Sequence, residues 1–331
     1  MNKWLHLCLL AAFAGVLTDS LIRWRLRYAE WGLDHPAERS LHLRPTPHGG
    51  GAGIVTALFI AASALSLPWV WSVSLLILAL ISMVDDWYPL PFWLRLVLHL
   101  TTAGSVVFFY QPGWGILAVI PVVLIAWGIN AYNFMDGVDG LAGSMTVYGF
   151  AAYTWVLYAH SEYALAGLCV VAVTGAAVFL YFNWHPARIF MGDVGSVPLG
   201  FLAGGVGLYG TVRGVWSWWF PLTVFLPFLL DASVTLMKRI GQRKRFWQAH
   251  REHYYQRLVL RGLSHRGVCL LWQLMMALCV GVALLLQCSP AGSHSGVWGL
   301  LMLTMLLLAM MAGFDLTDRP GRVNWSEKQK S

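Results

Sequence analysis

The sequence predicts an all-α fold, a polytopic bundle of transmembrane helices with its reaction site on the cytoplasmic face. Of the 331 residues, 58% are hydrophobic and 11% are charged, and the mean hydropathy is +0.63. This composition is far too apolar for a soluble globular domain. The apolar residues form stretches of spanning length, and Lys and Arg collect in alternate loops, as they do in multi-pass membrane proteins.

The apolar stretches predict ten or eleven spans, because each is near the roughly 17 to 25 residues that a spanning helix needs. They lie at residues 3–22, 48–67, 69–84, 92–111, 114–130, 141–160, 164–182, 196–212, 215–237, 266–288 and 296–314. The first stretch also resembles a signal peptide, but an intact first span keeps the charge pattern regular. We therefore expect one membrane domain over residues 1–314 and a short basic cytoplasmic tail over residues 315–331.

The basic residues predict which loops face the cytoplasm. One alternate set of loops contains 20 of the 22 Lys and Arg residues; it comprises residues 23–47, 85–95, 131–140, 183–195, 238–266 and the tail from 315. The positive-inside rule places this set in the cytoplasm and the N-terminus outside. The acidic and histidine motifs fall in the same set although they do not enter that assignment. Their one-sided clustering favours a catalytic or binding surface over a transmembrane conduit.

Charge and cysteine usage exclude other functional classes. The formal net charge of +7 is explained by the inside-positive bias and by contact with anionic membrane lipids. Nucleic-acid binding is a poor interpretation, because the basic residues lie in short juxtamembrane loops. The five cysteines lie in apolar segments without Cys-x-x-Cys pairs, which is typical of small core residues and not of a disulfide or metal framework.

The first motif is Arg44-Pro-Thr46-Pro-His48-Gly-Gly-Gly51. It combines a stiff Pro-x-Pro segment with glycines that let backbone N–H groups approach a ligand closely. Anion binding would be natural at the helix start that follows. Arg44 and Thr46 are therefore candidate binding residues, and a simple helix-breaking turn is the alternative.

The second motif is Asp85-Asp86, directly after an apolar stretch. Adjacent carboxylates at a membrane edge repel each other and lose hydration, so they need a cation or a raised pKa. The alternative is an interfacial turn in which Asp caps a helix.

The third motif, Asn130 to Gly140, sets two carboxylates and two carboxamides at the end of an apolar stretch. Asp136 and Asp139 would share one face if a helix starts there. Asp193, between glycines at the start of the eighth stretch, suits Mg²⁺, which takes one or two protein carboxylates. Capping of the next helix is the alternative role for Asp193.

The fourth motif is the basic segment around His250 and His253, which suits phosphate oxygens; a solvated face is the alternative. Two further polar residues lie inside apolar stretches. His99 is interpreted as a core histidine with a satisfied partner. Asp231 needs a partner, because a carboxylate inside a membrane costs roughly 2.5–3.5 kcal/mol, and an arginine of the same helix end or a site residue could supply it.

Together these segments resemble the polyprenyl-phosphate N-acetylhexosamine-1-phosphate transferases of the glycosyltransferase 4 family. That family includes the phospho-MurNAc-pentapeptide translocase of peptidoglycan synthesis and the GlcNAc-1-phosphate transferases that start O-antigen, enterobacterial common antigen and teichoic acid linkage units. The resemblance runs from about Arg39 to Arg261 and is closest to the O-antigen-initiating branch. The chain departs from the family pattern at His48, where Arg is common, and in His-Arg-Glu-His-Tyr-Tyr, which replaces a denser run of histidines.

The resemblance implies a multi-pass enzyme of the bacterial cytoplasmic membrane that uses Mg²⁺, or alternatively Mn²⁺. It implies transfer of N-acetylhexosamine-1-phosphate from a UDP-N-acetylhexosamine to undecaprenyl phosphate, with release of UMP, and it allows a homodimer. Asp193 and Asp85 would ligate the metal, and Asp85 and Asp86 would lie beside the lipid phosphate, Asp85 as a candidate base. The nucleotide and phosphate contacts would come from Asn133, Asp136, Gly137, Asp139, Phe190, His250 and His253.

Two alternatives stay open. One is the peptidoglycan-precursor translocase itself, which belongs to the same family. The other is a transporter or flippase, which would show broken helices and polar residues near the midplane. Only Asp231 and His99 are candidates for such residues.

Overall fold

The computed structural model describes residues 3–30, 32–36, 41, 44–245, 248, 250–289 and 292–317. Arg39 and the tail residues 318–331 lie outside the described residues, so the predicted tail stays a prediction. Most of the described chain is helical, and the predicted all-α bundle is confirmed.

The elements follow one another in the order of the predicted apolar stretches. They are α1 (Lys3–Arg27), β1 (Leu33–Asp34), β2 (Thr46–Pro47), α2 (Gly51–Ala64), α3 (Trp69–Trp87), α4 (Phe92–Tyr110), a 3₁₀ segment (Pro112–Ala118), α5 (Val119–Phe134), α6 (Leu141–Ala159), α7 (Tyr163–Asn183), α8 (Asp193–Val212), α9 (Trp219–Val224), α10 (Leu226–Gly241), α11 (Tyr254–Leu260), α12 (His265–Gln287) and α13 (Gly292–Thr317). The two short strands pair antiparallel.

Eight segments of the described chain are long and apolar enough to cross a membrane. They contain α1, α3, α4, α5 with the preceding 3₁₀ segment, α7, α8, α12 and α13. The apolar helix α2 is shorter, at 14 residues. The stretch predicted as one span at 215–237 is divided into α9 and α10 at Phe225. Proline explains the division, because Pro227 has no N–H with which to continue the helical hydrogen bonds.

Helix α8 forms the centre of the bundle. In its most apolar window 83% of the residues are buried, and α2, α3, α4, α5, α6 and α9 pack around it. Small residues allow the close packing, as is typical of helices in membranes. Where α8 crosses the start of α2, a Cβ added at Gly195 would lie 2.6 Å from the Cα of Gly51.

The alternation of helix directions brings the polar motifs to one end of the bundle. Helices α3, α5, α7 and α10 end there, and α2, α4, α6, α8 and α12 begin there. The opposite end holds the two basic residues outside the cytoplasmic set. Lys3 lies 3.6 Å from the ring centroid of Tyr163, and Arg213 lies 3.9 Å from the Glu162 carboxylate.

Candidate active site

Two motifs far apart in the chain form one strand-like contact. The Phe190 N–H donates to Pro47 O at 2.9 Å, and the Gly50 and Gly51 N–H groups donate to Phe190 O at 2.9 Å and Met191 O at 3.0 Å. Thr46 is buried and its Oγ1 donates to Arg44 O at 3.1 Å. The Pro-x-Pro segment is therefore held against the loop that carries Asp193.

A cluster of carboxylates lies beside this contact. Asn133 Nδ2 donates to Asp193 Oδ2 at 3.2 Å, and Ser196 Oγ donates to Asn133 Oδ1 at 3.0 Å. The Gly192 N–H donates to Asp136. Asp86 Oδ2 would be 3.7 Å from a Cβ placed on Gly192, so Asp86 also borders the cluster. We call Asp86, Asp136 and Asp193 the carboxylate cluster.

The electrostatics of the carboxylate cluster call for a cation. Burial, and next the negative charge of Asp193, raise the pKa of Asp136 well above its ordinary value. His48 Nδ1 lies 3.4 Å from Asp86 Oδ2, and this hydrogen bond raises the pKa of His48. Three carboxylates and an amide oxygen are the hard donors that Mg²⁺ prefers. The donor set therefore fits the predicted metal.

Asp85 is bound within the turn between α3 and α4, although its charge also acts on Asp193. Asp85 Oδ1 accepts from the Leu90 N–H at 2.5 Å and its Oδ2 accepts from Arg95 Nη1 at 3.0 Å. Both oxygens are thus engaged in the turn between α3 and α4. This is the interfacial-turn alternative, and it makes Asp86 the better placed of the two for metal ligation.

Asp136 and Asp139 do not share a helix face. Helix α5 ends at Phe134 and α6 begins at Leu141, so both aspartates lie in the turn between them, and the helical interpretation was wrong. The turn is held by Asn183, whose Oδ1 accepts from the Gly140 N–H at 2.8 Å. The glycines explain the turn, since Gly140 has a φ of 81°, a conformation that other residues rarely adopt.

Asp139 is buried away from the carboxylate cluster, among partners that the sequence did not reveal. Its Oδ2 lies 2.6 Å from His185 Nδ1 and accepts from the Ala187 N–H at 3.1 Å; its Oδ1 lies 3.4 Å from His265 Nδ1. Burial raises the pKa of Asp139, but the nearby His265 and the hydrogen bond from His185 lower it overall. His185 lies in the predicted cytoplasmic segment 183–195, whereas no spacing pattern in the sequence marks His265.

The histidine segment is organised by Asp231, which is fully buried. Its carboxylate accepts from the Tyr254 N–H at 2.9 Å and the Tyr255 N–H at 3.1 Å, and it lies 3.2 Å from His253 Nδ1. Thr235 Oγ1 donates to it at 3.2 Å. The partner that Asp231 needs is therefore the start of α11, the site-residue alternative.

Around His253 the rings stack on one another. His250 and His253 have ring centroids 4.8 Å apart, and Phe134 lies 5.7 Å from His253. Burial, and next the charges of His253 and Arg239, lower the pKa of His250 to about 4. The His250 ring is therefore a neutral donor or acceptor near pH 7, not the cation that the basic segment suggested.

Helix α13 also contacts the histidine segment, through Asp315. Asp315 accepts from Tyr254 Oη at 2.7 Å and from Arg257 Nη1 at 2.7 Å, and it also pairs with Lys238. Tyr255 Oη donates to Phe134 O at 2.8 Å, next to Gly137, where an added Cβ would meet the same hydroxyl.

His99 has the satisfied partner that was expected, since Asn130 Nδ2 donates to its Nδ1 at 3.1 Å. His99 is buried within the helical bundle, and Asn130 is partly buried.

Comparisons with known proteins find one family and several similar relatives. The model of glycosyl transferase family 4 matches residues 68–211. The chain is 28% identical to a probable undecaprenyl-phosphate N-acetylglucosaminyl 1-phosphate transferase of Bacillus subtilis, over 71% of each chain. It is also 28% identical to a decaprenyl-phosphate N-acetylglucosaminephosphotransferase of Mycobacterium leprae, over 82% of this chain and 81% of that one. A phospho-N-acetylmuramoyl-pentapeptide-transferase of Lactobacillus acidophilus is 29% identical over 47% of this chain and 58% of its own.

Proposed function

Because this chain is a membrane-embedded phosphotransferase of glycosyl transferase family 4, we propose that it transfers N-acetylhexosamine-1-phosphate from a UDP-sugar to undecaprenyl phosphate. The products are undecaprenyl-diphosphate-sugar and UMP. The observation that carries the proposal is the carboxylate cluster at one end of an apolar bundle, where Asp86 pairs with the partly buried His48. Such a site suits a lipid phosphate whose tail stays in the bilayer and a nucleotide that arrives from water.

In the reaction, a phosphate oxygen of the lipid forms a bond to the β-phosphorus of the UDP-sugar, and the bond from that phosphorus to the bridging oxygen of UMP breaks. All reactants are anionic, so alignment and charge neutralisation supply most of the catalysis. Asp193, Asp86 and Asp136 would hold Mg²⁺, which supplies positive charge to the phosphates when bound. Mn²⁺ has the same preference for oxygen ligands and is the alternative.

Each neighbouring residue has an assigned role. Asn133 orients Asp193 through its amide, and Asp85 fixes the Arg95 guanidinium, which is partly exposed and can meet the lipid phosphate. Proton acceptance, if the reaction needs it, falls to Asp86, because both Asp85 oxygens are engaged. Binding of the nucleotide and its phosphates is assigned to Arg44, Thr46, Gly137, Phe190, His250 and His253, with Phe190 against the uracil.

The His253 tautomer follows from its partner. The Asp231 carboxylate accepts a hydrogen bond from His253 Nδ1, so Nδ1 carries a proton. His253 Nε2 is then the ring nitrogen that would contact a phosphate. His250 stacks on this ring and limits its rotation. The segment thus presents an oriented imidazole instead of a diffuse positive charge.

The donor is assigned as a small UDP-N-acetylhexosamine, such as UDP-GlcNAc or a deoxy relative. The inner segments 23–47 and 238–266 are dominated by Arg and apolar residues and offer no evident binding segment for a pentapeptide. Initiation of O-antigen or a related envelope glycan in the bacterial cytoplasmic membrane is the pathway that the motif resemblance favours. A homodimer stays a prediction.

A transport function is the rival from another class, and α9–α10 is a broken span of the kind that transporters have. The break is packed by aromatic rings, however: Phe225 lies 5.6 Å from Tyr153 and 6.0 Å from Phe150 between centroids. Ion and substrate sites at broken helices need exposed polar groups, so this break does not favour transport.

The test is an assay of the purified full chain with undecaprenyl phosphate, Mg²⁺ and each radiolabelled donor in turn. We expect a lipid-linked sugar and equimolar UMP from a UDP-N-acetylhexosamine, and none from UDP-MurNAc-pentapeptide. Transfer from the pentapeptide donor alone would identify the translocase alternative. An absence of UMP with every donor would overturn the transferase assignment.

A further inference from the structure

A second polar cluster lies apart from the carboxylate cluster. It joins Asp139 in the turn before α6, His185 just after α7, and His265 at the first position of α12. One ligand atom from each lies within 4.8 Å of the other two. The two imidazole rings stack with centroids 5.2 Å apart and an angle of 27° between their planes. Three segments that are distant in the chain therefore converge on a small volume.

The hydrogen bonds within this cluster leave one atom unsatisfied. His265 Nδ1 is buried and has no hydrogen-bond partner among the described residues, although Asp139 Oδ1 is 3.4 Å away. Buried polar atoms almost always find a partner, and an exception needs an explanation such as an ion. The 3.4 Å separation is longer than a normal hydrogen bond, so the carboxylate is near this nitrogen without satisfying it.

The donor set differs from that of the carboxylate cluster. Two imidazole nitrogens and one carboxylate are ligands of Zn²⁺ and similar ions, whereas Mg²⁺ selects oxygen alone. Bonds of about 2.0–2.1 Å in a tetrahedral site separate neighbouring ligand atoms by about 3.3 Å. With Asp139 Oδ1 as the ligand atom, its spacing of 3.4 Å from His265 Nδ1 matches that edge. His185 Nδ1 contacts the other oxygen, Oδ2, at 2.6 Å, so a small rotation of this carboxylate or imidazole would complete the site.

We propose that Asp139, His185 and His265 form a binding site for one divalent transition-metal ion of the Zn²⁺ type. The Ala187 N–H, which donates to the Asp139 carboxylate at 3.1 Å, would orient this ligand as the outer contacts of metal sites do. His185 is partly exposed, with 39% of its side chain accessible, and gives the ion a route from solvent. With three protein ligands, the fourth position is left for water.

The ion would fasten the turn that carries Asp136 to the segment after α7 and to α12. The site thus lies beside the proposed reaction site but takes another class of ion and does not depend on sugar-phosphate transfer. Its effect would be structural: the 135–140 turn, which delivers Asp136 to the carboxylate cluster, would be held from the opposite side.

The test measures the metal itself. Purified full chain with Cys8 and Cys288 changed to Ser, because both thiols are exposed, is treated with a chelator and dialysed against Zn²⁺, and bound metal is quantified. We expect one Zn²⁺ per chain and a raised melting temperature. Binding is then compared in His185→Gln and His265→Gln, with Asp193→Asn as the matched control in the carboxylate cluster.

Losing an outer contact of a metal site typically weakens metal binding by about 10–100-fold. Loss of either histidine ligand should therefore weaken Zn²⁺ binding by about 100-fold or more. Asp193→Asn should leave Zn²⁺ binding unchanged. Elution in size-exclusion chromatography checks that each variant is folded. Should a histidine variant misfold, the visible spectrum of the parent chain with Co²⁺ decides, because tetrahedral nitrogen and oxygen ligation gives intense d–d bands. Failure of the parent chain to bind stoichiometric Zn²⁺, or binding by both folded histidine variants as tight as that of the parent, would overturn the proposal.

Discussion

At the scale of single residues, the sequence predicts which acidic and histidine residues matter, but it does not predict their hydrogen-bond partners. Asp231 shows why: its apolar surroundings in the sequence say that it needs a donor, yet the donors lie 23 and 24 residues later, at the backbone N–H groups of Tyr254 and Tyr255. Backbone donors carry no residue signature. The same holds for Asp139 and His185, which are 46 residues apart.

Asp231→Asn should therefore be among the most damaging single changes. It keeps the volume but turns one oxygen into an NH₂ group that faces backbone N–H donors, and each buried group left unpaired costs about 1–3 kcal/mol. We expect a melting temperature lower by several degrees and a turnover at least tenfold lower. Thr235→Val is the control, since it removes only the 3.2 Å hydroxyl contact and should cost about 1 kcal/mol. Equal melting temperatures for both variants would contradict the assigned role.

Asp193 and Asp85 should respond differently when each is changed to the neutral Asn. Asp193→Asn should abolish Mg²⁺-dependent turnover in a folded, inserted protein, because it removes a charge from the carboxylate cluster. Asp85→Asn should lower turnover without changing the Mg²⁺ concentration that gives half-maximal rate, since Asp85 is bound to Leu90 and Arg95. Magnesium titrations of the two variants measure this. A raised Mg²⁺ requirement in Asp85→Asn would restore Asp85 as a ligand.

His250 supplies a pH-dependent term in stability. Its pKa is about 4 in the folded chain and about 6.5 when unfolded, so the unfolded state binds more protons between these values and stability falls as pH falls through this window. Because His250 is partly exposed, its contribution to the free energy of unfolding is taken as about 1 kcal/mol. In His250→Gln the melting temperature should therefore fall less between pH 7 and pH 5 than in the parent, by roughly 2–4 °C for a chain of this size. Parallel melting curves for both proteins would disprove this.

At the scale of elements, composition and periodicity predict where helices lie, and packing decides where they break. The division of residues 215–237 at Phe225 was missed, because the apolar pattern around Pro227 was interpreted as continuous. The loop predicted at 131–140 does contain the turn with Asp136 and Asp139, although α5 continues to Phe134. Proline inside an apolar pattern therefore carried more information than the pattern did.

The crossing of α2 and α8 gives a prediction at this scale. Gly195→Ala should lower the melting temperature, with a cost of about 1–3 kcal/mol, because the new methyl would meet the backbone of Gly51 and the Met191 side chain. Gly128→Ala in α5 is the matched control, since an added Cβ there has no neighbour within 4 Å and alanine favours helix. If both variants melt like the parent, the backbones are not in contact at this crossing.

At the scale of the whole molecule, the charge pattern and the geometry agree on which polar groups share one end of the bundle. The motifs meet at one end of the bundle, while Lys3 and Arg213 lie at the other. Single cysteines at positions 90, 187 and 248 should react with a membrane-impermeant thiol reagent only from the cytoplasmic side. Those at positions 161 and 216 should react only from outside, in a parent lacking the exposed Cys8 and Cys288. Labelling of 187 and 248 from opposite sides would make the assembled site impossible.

The contact between Asp315 and the histidine segment has a consequence for biosynthesis. A ribosome releases the chain in order, so α11 is made and inserted well before α13 supplies the carboxylate that binds Tyr254, Arg257 and Lys238. A nascent chain that already contains every acidic motif still lacks these contacts of Asp315. The histidine segment therefore gains its contacts with Asp315 only after α13 has been synthesised and packed against it.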